Sequence, residues 1–233
     1  MRSPAQAHYE RVSALEAAAS AAPGESLAGA STYELMLAKL ATDRRRLKSI
    51  ASIQRKIEVK RAELLPDYVD YVAGALEGGR GAQDDVLTTI MIWRVDAGDF
   101  AGALDIARYA LAHRMTLPDQ YDRPLATAIA EECAEAALAA FKQGASVTRV
   151  NAAQLAEVAQ LTASADMHDQ VRAKLHKALG YTAEHGGDTP AALDHLRRAL
   201  ELDSRVGVKQ DIARLEKASN AAGAVVNTAA VRT

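Results

Sequence analysis

The stretch GGRGAQDDVLTTIMIWRVDAGDFAGALDIARYALAHRM, residues 78–115, decides the fold. Its apolar residues recur at helical spacing on both sides of a Gly98-Asp99 pair, which predicts two helices packed antiparallel. Gly98 can adopt the left-handed conformation that ends a helix, and Asp99 can accept hydrogen bonds from the first free amides of the next helix. The same turn recurs at Gly187-Asp188. The chain is therefore predicted to consist of helical hairpins.

The composition also favours an all-α fold. Aromatic residues make up 4 % of the 233 residues, alanine is abundant, and no strand-length stretch shows alternating β-branched residues. The single cysteine, Cys133, excludes an internal disulfide and a cysteine-based zinc cluster. No apolar run reaches the roughly 20 residues that cross a bilayer, and the N-terminus lacks the apolar core of a signal peptide. We therefore expect an intracellular protein that has no membrane contact.

The fold expected from these patterns is a long basic N-terminal helix followed by a multi-helix body of antiparallel helical hairpins. We expect four regions along the chain: a flexible or short-helix N-terminal segment, residues 1–30; a basic helical region for DNA binding and oligomerisation, residues 31–77; a helical-hairpin body, residues 78–217; and a disordered tail, residues 218–233. Ser31 and Glu34 have the spacing of a capping box. They predict the start of one long helix, from about residue 32 to residue 65, before Pro66.

The part of that predicted helix between residues 39 and 61 is strongly basic. Between Lys39 and Arg61 there are nine basic residues and two acids, Asp43 and Glu58. At helical spacing the cations occupy one side and the apolar residues another, so the helix can pack on a body and still face a polyanion. The residues predicted to contact DNA are Arg44, Arg45, Arg46, Lys48, Arg55, Lys56, Lys60 and Arg61.

The basic segment allows two interpretations. Cations that neutralise phosphates release counterions and give affinity that falls steeply with salt. No aromatic residue lies within the cluster, which favours contact with the backbone of duplex DNA over stacking on single strands. The alternative is a solvated surface on a long helix, with the cations facing water.

Three long stretches resemble one protein family. They are YELMLAKLATDRRRLKSI (residues 33–50), RAELLPDYVDYVAGALEGGRGAQDDVLTTIMIWRVDAGDFAGALDIARYAL (residues 61–111) and LTASADMHDQVRAKLHKALGYTAEHGGDTPAALDHLRRALELD (residues 161–203). In this order they resemble the small terminase subunit of cohesive-end temperate tailed phages and their prophages, a protein often labelled the terminase endonuclease subunit. The resemblance covers most of the chain and does not depend on one short motif.

The resemblance implies a role in viral genome packaging. Such a subunit binds the cohesive-end packaging site on double-stranded viral DNA and assembles into a homo-oligomer, expected to be a ring. It then hands the DNA to the large terminase subunit, an ATPase, for cutting and for packaging into the procapsid. The resemblance also implies that the protein acts in the cytoplasm of the bacterial host.

The endonuclease label raises the question of which residues could cut DNA. Metal-dependent cleavage needs clustered carboxylates. Asp84 and Asp85 are adjacent, but neighbouring residues on a helix point about 100° apart, and Asp85 and Asp96 are roughly 16 Å apart along the axis. Asp84 and Asp85 are better explained by a helix's first turn, where negative charge suits the dipole.

Other chemistry-bearing residues are scattered as well. Glu131 and Glu132 fit a solvated helix face, Cys133 fits a small core residue, and the six histidines form no cluster. The chain has no phosphate loop of the GxxxxGK[ST] kind, so ATP hydrolysis is expected to belong to another chain. We expect no catalytic residue, no metal ligand and no cofactor, and leave open whether the protein is an enzyme.

Two alternatives to a DNA-binding packaging subunit remain. In the first, the chain is itself the metal-dependent endonuclease that cuts the cohesive-end site, with carboxylates that meet only in the fold or across subunits. In the second, it is a helical adaptor that binds no DNA and uses its basic helix for oligomer packing.

Overall fold

The computed structural model describes residues 3–29, 31–119, 121–142 and 150–230, with only the backbone of residues 31 and 221–230. The helices are α1 (Pro4–Ser20), α2 (Ser31–Lys48), α3 (Ile53–Val59), α4 (Val69–Glu77), α5 (Asp85–Ala97), α6 (Phe100–Ala112), α7 (Leu125–Lys142), α8 (Ala152–Leu161), α9 (Asp169–His185), α10 (Thr189–Leu202) and α11 (Lys209–Ala230). A π-helical turn (Lys60–Leu64) and a 3-10 turn (Leu65–Tyr68) connect α3 to α4. Within these described ranges no strand forms, and the predicted all-α fold is confirmed.

The chain divides into two compact units, Met1–Leu125 and Ala126–Thr233. This division differs from the expected boundary at the glycine cluster of residues 78–81, which lies inside the first unit. The cluster is packed against α6 there, because the Gly81 N–H donates a hydrogen bond of 2.8 Å to the Tyr109 hydroxyl. In the described part of the chain no helix is long and apolar enough to cross a membrane.

The core of the first unit is built around α5. Val86, Leu87, Ile90 and Met91 have no solvent exposure, and Trp93 meets the Tyr68 ring edge-on with 6.2 Å between centroids. A run that is apolar on nearly every side can form a helix only if it is buried on nearly every side. The rest of the first unit therefore packs around this helix.

The two Gly-Asp turns form as the sequence predicts. Gly98 ends α5 with φ +80°, and the Asp99 carboxylate accepts from the Gly102 N–H at 3.0 Å to begin α6. In the second unit Gly187 has φ +80°, and Asp188 begins α10 in the same way. The predicted hairpins are therefore α5–α6 and α9–α10.

The second unit is a bundle around the α9–α10 hairpin. Helix α8 packs against α9, and α11 packs against α10 through a buried apolar cluster. That cluster includes Leu196, Val208, Ile212 and Leu215. Cys133 is fully buried in α7, as predicted for a small core residue, and burial raises the pKa of its thiol to about 12.

Two predicted segments differ from the structure. The single helix predicted for residues 32–65 is interrupted at residues 49–52, where the Ser52 hydroxyl accepts from the Arg55 N–H and begins α3. Serine competes with helical hydrogen bonding and favours such a cap. The predicted disordered tail is helical as far as Ala230, because its alanine-rich sequence favours helix. Residues 231–233 lie outside the described residues.

Helix α1 packs on α4 at unusually close range. Two glycines of α4, Gly74 and Gly78, face the α1 backbone, and Ala14 lies against Gly74. A β-carbon added to Gly74 would lie 2.1 Å from the Arg11 carbonyl oxygen, and one added to Gly78 would lie 2.2 Å from the Leu15 carbonyl oxygen. Only glycine at these two positions permits this docking.

We expect Gly74→Ala to lower the free energy of unfolding of the first unit by about 2–3 kcal/mol, because a backbone atom cannot move aside as a flexible side chain does. Gly186→Ala is the matched control, since its β-carbon would meet nothing closer than 3.4 Å. Chemical denaturation followed by Trp93 fluorescence measures the effect in the first unit, and circular dichroism measures that of the control in the second unit. Equal stability of the two variants would show that α1 does not need this close contact.

Candidate nucleic-acid interface

Helix α2 carries its basic residues opposite a buried apolar side. Met36, Leu40 and Leu47 are buried, as the helical spacing predicted. The Asp43 carboxylate is also buried, and it accepts hydrogen bonds from the Tyr68 hydroxyl and the Lys39 ammonium, both at 2.7 Å. Burial and this carboxylate raise the pKa of the Tyr68 hydroxyl. The network fixes α2 against the turn before α4 and so fixes the direction in which its cations point.

Three of the eight predicted DNA contacts bond to residues of α5. Arg44 donates to the Thr89 hydroxyl in α5 at 2.8 Å. Lys60 is ion-paired with Asp96 and lies 5.7 Å from the Trp93 ring centroid, with 13 % of its side chain exposed. These two cations contribute to the packing of α5.

Arg61 has a similar structural role at the end of α5. Its guanidinium donates two hydrogen bonds to the Ala97 carbonyl, at 3.0 Å and 2.5 Å. This carbonyl belongs to the last turn of the helix, whose acceptors have no partner within the helix, and a cation there also suits the helix dipole.

Two further predicted contacts form ion pairs on the surface. Arg46 pairs with Glu63, and Arg55 pairs with Glu58 at 3.3 Å. All four side chains are about half exposed. Exposed pairs of this kind contribute little to stability because water and salt screen them. The Glu63 carboxylate partly neutralises the Arg46 guanidinium and so lowers the positive potential at this surface. The guanidinium in turn lowers the pKa of the Glu63 carboxyl.

The remaining three predicted contacts have no acidic partner among the residues that the structure describes. Arg45 bonds only to the Ala41 carbonyl and the Thr42 hydroxyl, at 3.4 Å and 3.2 Å. Lys48 at the end of α2 is exposed, and Lys56 in α3 is partly exposed. Their charges are available to a ligand.

Residues 45–56, the end of α2 together with the first turn of α3, form a largely exposed surface that we call the α2–α3 corner. Ala51, Ser52, Ile53, Gln54 and Arg55 are all exposed. Ile53 has 76 % of its surface exposed, more than any other large apolar residue described. The corner therefore combines unpaired cations with an exposed apolar side chain.

Sequence reasoning missed the corner because the helical pattern continues across residues 49–52. The available signal was the Ser49-Ile50-Ala51-Ser52 stretch, in which Ser52 precedes a helix-compatible run and can act as a cap. With Ser52 as the cap, Ile53 becomes the first residue of a new helix, where its side chain can lie outside the core.

The carboxylates considered for nuclease chemistry lie at the two ends of α5. Asp84 is 2 % exposed, accepts from the Tyr71 hydroxyl at 2.7 Å and caps α5 through the Leu87 N–H at 2.8 Å. At the other end Asp96 pairs with Lys60, and Asp99 begins α6. In the described residues no group of three or more His, Cys, Asp or Glu side chains is arranged to hold a metal ion.

One histidine pair forms in the second unit. The Nδ1 atoms of His176 and His195 lie 3.2 Å apart, so one ring donates and the other accepts. Burial, with smaller contributions from the nearby His195, Arg198 and Arg172, lowers the pKa of His176 from 6.5 to about 4. Burial also lowers the pKa of His195, while Asp194 partly opposes that shift. Sequence reasoning had judged the histidines to be scattered.

Comparison with known proteins identifies a family that this chain matches. The phage small terminase subunit family matches residues 37–170, a range that includes the whole α2–α3 corner. The chain is similar to the "Terminase, endonuclease subunit" of Escherichia phage P2, with 52 % identity over 219 residues that cover 93 % of this chain and 85 % of the relative. No solved structure gives a significant match.

We expect Asp84→Ala to lower the free energy of unfolding of the first unit by about 3 kcal/mol, because it removes a helix cap and leaves the buried Tyr71 hydroxyl without its acceptor. Asp84→Asn keeps an acceptor for the Leu87 N–H and should be more stable than Asp84→Ala at neutral pH. Urea denaturation followed by the fluorescence of Trp93 measures both. A small loss in Asp84→Ala would show that the carboxylate is not a structural cap.

The stability difference between the wild type and Asp84→Asn should depend on pH. Burial raises the pKa of Asp84 from 3.8 to about 6. A raised folded-state pKa gives stability that is complete below pH 3.8 and is lost as the pH rises through about 6. The wild type should therefore lose about 2–3 kcal/mol relative to Asp84→Asn between about pH 4 and pH 7. A constant difference would contradict this assignment.

The histidine pair predicts the opposite pH dependence for the second unit. Because the pKa of His176 is lowered from 6.5 to about 4, its contribution is complete above pH 6.5 and is lost as the pH falls towards 4. Solvent screening of a half-exposed ring limits the loss to about 1 kcal/mol. Thermal unfolding followed by circular dichroism should show a smaller acid-induced loss in His176→Gln than in the wild type, and an equal loss would contradict the prediction.

Proposed function

The chain belongs to the phage small terminase subunit family, whose role is in viral genome packaging, and from this premise we propose that it binds double-stranded viral DNA through the α2–α3 corner. The observation that carries the proposal is the presence there of cations that the fold does not use. Arg45, Lys48 and Lys56 have no acidic partner in the described chain. Basic residues without partners, grouped on an exposed surface, are the usual means of binding a phosphate backbone.

We assign the phosphate contacts to four of the eight predicted residues, Arg45, Lys48, Arg55 and Lys56. Arg55 is included because its pair with Glu58 is long, exposed and therefore weak. The other four predicted residues, Arg44, Arg46, Lys60 and Arg61, would act indirectly by fixing the position of the corner. The contrast with the rest of the chain supports this division, since the whole chain has a net charge of −2 and the residues outside the basic segment are therefore distinctly acidic.

The small number of phosphate contacts in one chain favours assembly of several copies on the DNA. Four phosphate contacts give a log–log salt slope of about −4, which corresponds to modest affinity at physiological salt. Several linked copies raise the effective affinity without new contacts. We propose that the protein acts as a homo-oligomer, a ring by family resemblance, and that the helices of the second unit carry self-association and contacts to the large terminase subunit.

The proposed sequence of events places this chain before the cutting step. The oligomer would bind the cohesive-end packaging site in the cytoplasm of the bacterial host and hand the DNA to the large terminase ATPase. That subunit would then cut the DNA and package it into the procapsid. The present chain would contribute recognition and positioning.

The name of the phage P2 relative favours a second candidate, in which this chain is itself a metal-dependent endonuclease. Asp84 and Asp96 already bond within the described chain, so carboxylates from two copies would have to meet. Magnesium-dependent nicking of plasmid DNA by the purified protein, lost in Asp85→Ala, would favour this candidate. DNA binding without nicking would favour recognition followed by transfer to the large subunit.

The decisive experiment measures binding to duplex DNA of random sequence from about 50 to about 200 mM salt. A variant with Arg45, Lys48, Arg55 and Lys56 all changed to alanine should lose affinity, and its log–log salt slope should be less steep by about 3.6. The matched control changes Arg198, Arg205, Lys209 and Lys217, four exposed cations of the second unit, and alters net charge equally.

The outcomes of this experiment separate the candidates. A wild-type slope in the control variant, together with a reduced slope in the corner variant, supports the proposal. Equal loss in both variants would show that binding depends on overall charge and not on the corner. Failure of the wild type to bind duplex DNA would favour a helical adaptor that uses its basic residues for packing.

A further inference from the structure

We propose that Ile53 and Gln54, in the first turn of α3, read base edges in the major groove and give the protein its sequence preference. This inference rests on the proposed DNA binding and adds to it, because phosphate contacts position a protein on a duplex but carry no sequence information. The protein needs other side chains to distinguish one site from another.

The exposure of Ile53 is the first observation behind this assignment. Single exposed apolar residues are common on protein surfaces and by themselves carry no meaning. Ile53 differs because its neighbours on both sides are exposed polar or cationic residues and because it lies within a basic corner. A side chain in this position would enter the groove of any duplex whose backbone the adjacent cations bind.

The chemistry of the two side chains fits base recognition. An aliphatic group can contact the thymine methyl, and a glutamine amide can form two hydrogen bonds with adenine. Gln54 is exposed and makes one long hydrogen bond of 3.5 Å, to Glu58 one turn later on the same helix. A bond of this length is weak, so the amide can exchange it for a base.

Glu58 also bears on the assignment. Its carboxylate accepts from both Gln54 and Arg55, at 3.5 Å and 3.3 Å. A carboxylate placed against phosphates would be repelled, whereas within the major groove it can accept from the cytosine amino group. Its position one turn after Gln54 is therefore compatible with entry of this face into the groove.

The corner is also anchored on both sides, and base reading requires side chains held in place. Leu47 lies in the core on one side and Val59 on the other, with 7 % and 1 % exposure. The Ser52 hydroxyl fixes the start of α3 through the Arg55 N–H at 3.2 Å. Two helices joined by a short turn can place the first turn of the second helix in the major groove, while the first helix contacts the backbone.

The order of the cations along the chain agrees with this geometry. Arg45 and Lys48 precede the exposed turn, and Arg55 and Lys56 follow it. Contacts on both sides of a groove would bring Ile53 and Gln54 between the two strands of phosphates. We expect A·T pairs at the positions that these two residues contact.

The test selects bound duplexes from a random-sequence library with the full-length protein and sequences them. The wild type should enrich a motif that contains A·T pairs. The double variant Ile53→Ala, Gln54→Ala should lose about tenfold of that enrichment, while its affinity for unselected duplex and its salt slope remain within about twofold of the wild type. Leu35→Ala, which removes another large exposed apolar residue (66 % exposed) from the first unit, is the matched control.

Each other outcome overturns the inference in a different way. An unchanged motif in the double variant, or no motif in the wild type, would overturn base reading while the proposed DNA binding stands. A uniform loss of affinity for all sequences would assign the two residues to backbone contact. If the wild type binds no duplex DNA at all, both the proposed function and this inference fail. Both substituted side chains are exposed, and thermal unfolding checks that the variants remain folded.

Discussion

The burial of α5 is the constraint on which the first unit depends. A helix surrounded by protein cannot satisfy its terminal N–H and C=O groups with water, so other parts of the chain must supply partners. Asp84 does so at the N-terminal end, and Arg61 does so at the C-terminal end through the Ala97 carbonyl. In the middle of the helix, the buried hydroxyl of Thr89 accepts from Arg44. The helix that organises the core thus takes two of its partners from the basic segment.

The need of α5 for hydrogen-bond partners divides the cations of the basic segment into two sets: an inward set that bonds to α5 and an outward set at the α2–α3 corner. The cations that face α5 have their charges engaged by partners far away in sequence, as Lys60 is by Asp96. The cations at the α2–α3 corner are exposed or partly exposed, and three of them have no acidic partner in the described part of the first unit. Because the inward set fixes the backbone on both sides of the corner, it also fixes the direction in which the outward set points. Stability and ligand contact are therefore coupled through neighbouring residues of one short segment.

The sequence predicted the parts of the structure that local chemistry determines. The turns at Gly98-Asp99 and Gly187-Asp188 depend on one left-handed glycine and one capping carboxylate each, and both formed as expected. The buried side of α2 followed from helical spacing. The division of the cations was not predictable, because a partner such as Asp96, 36 residues from Lys60, becomes known only in the fold. The packing of the glycines at 78–81 was not predictable for the same reason, since their contact with Tyr109 is not local.

The small number of available cations has a consequence for how specificity would arise. About four phosphate contacts in each copy give little affinity, so one copy would dissociate readily from any sequence. Linked copies multiply both the backbone contribution and any discrimination at the bases. A difference of about 1 kcal/mol at each α2–α3 corner, too small to select a site alone, grows with the number of corners that engage the DNA together. In such an assembly weak individual contacts are an advantage, because they allow unproductive complexes to dissociate before the full set of copies is engaged.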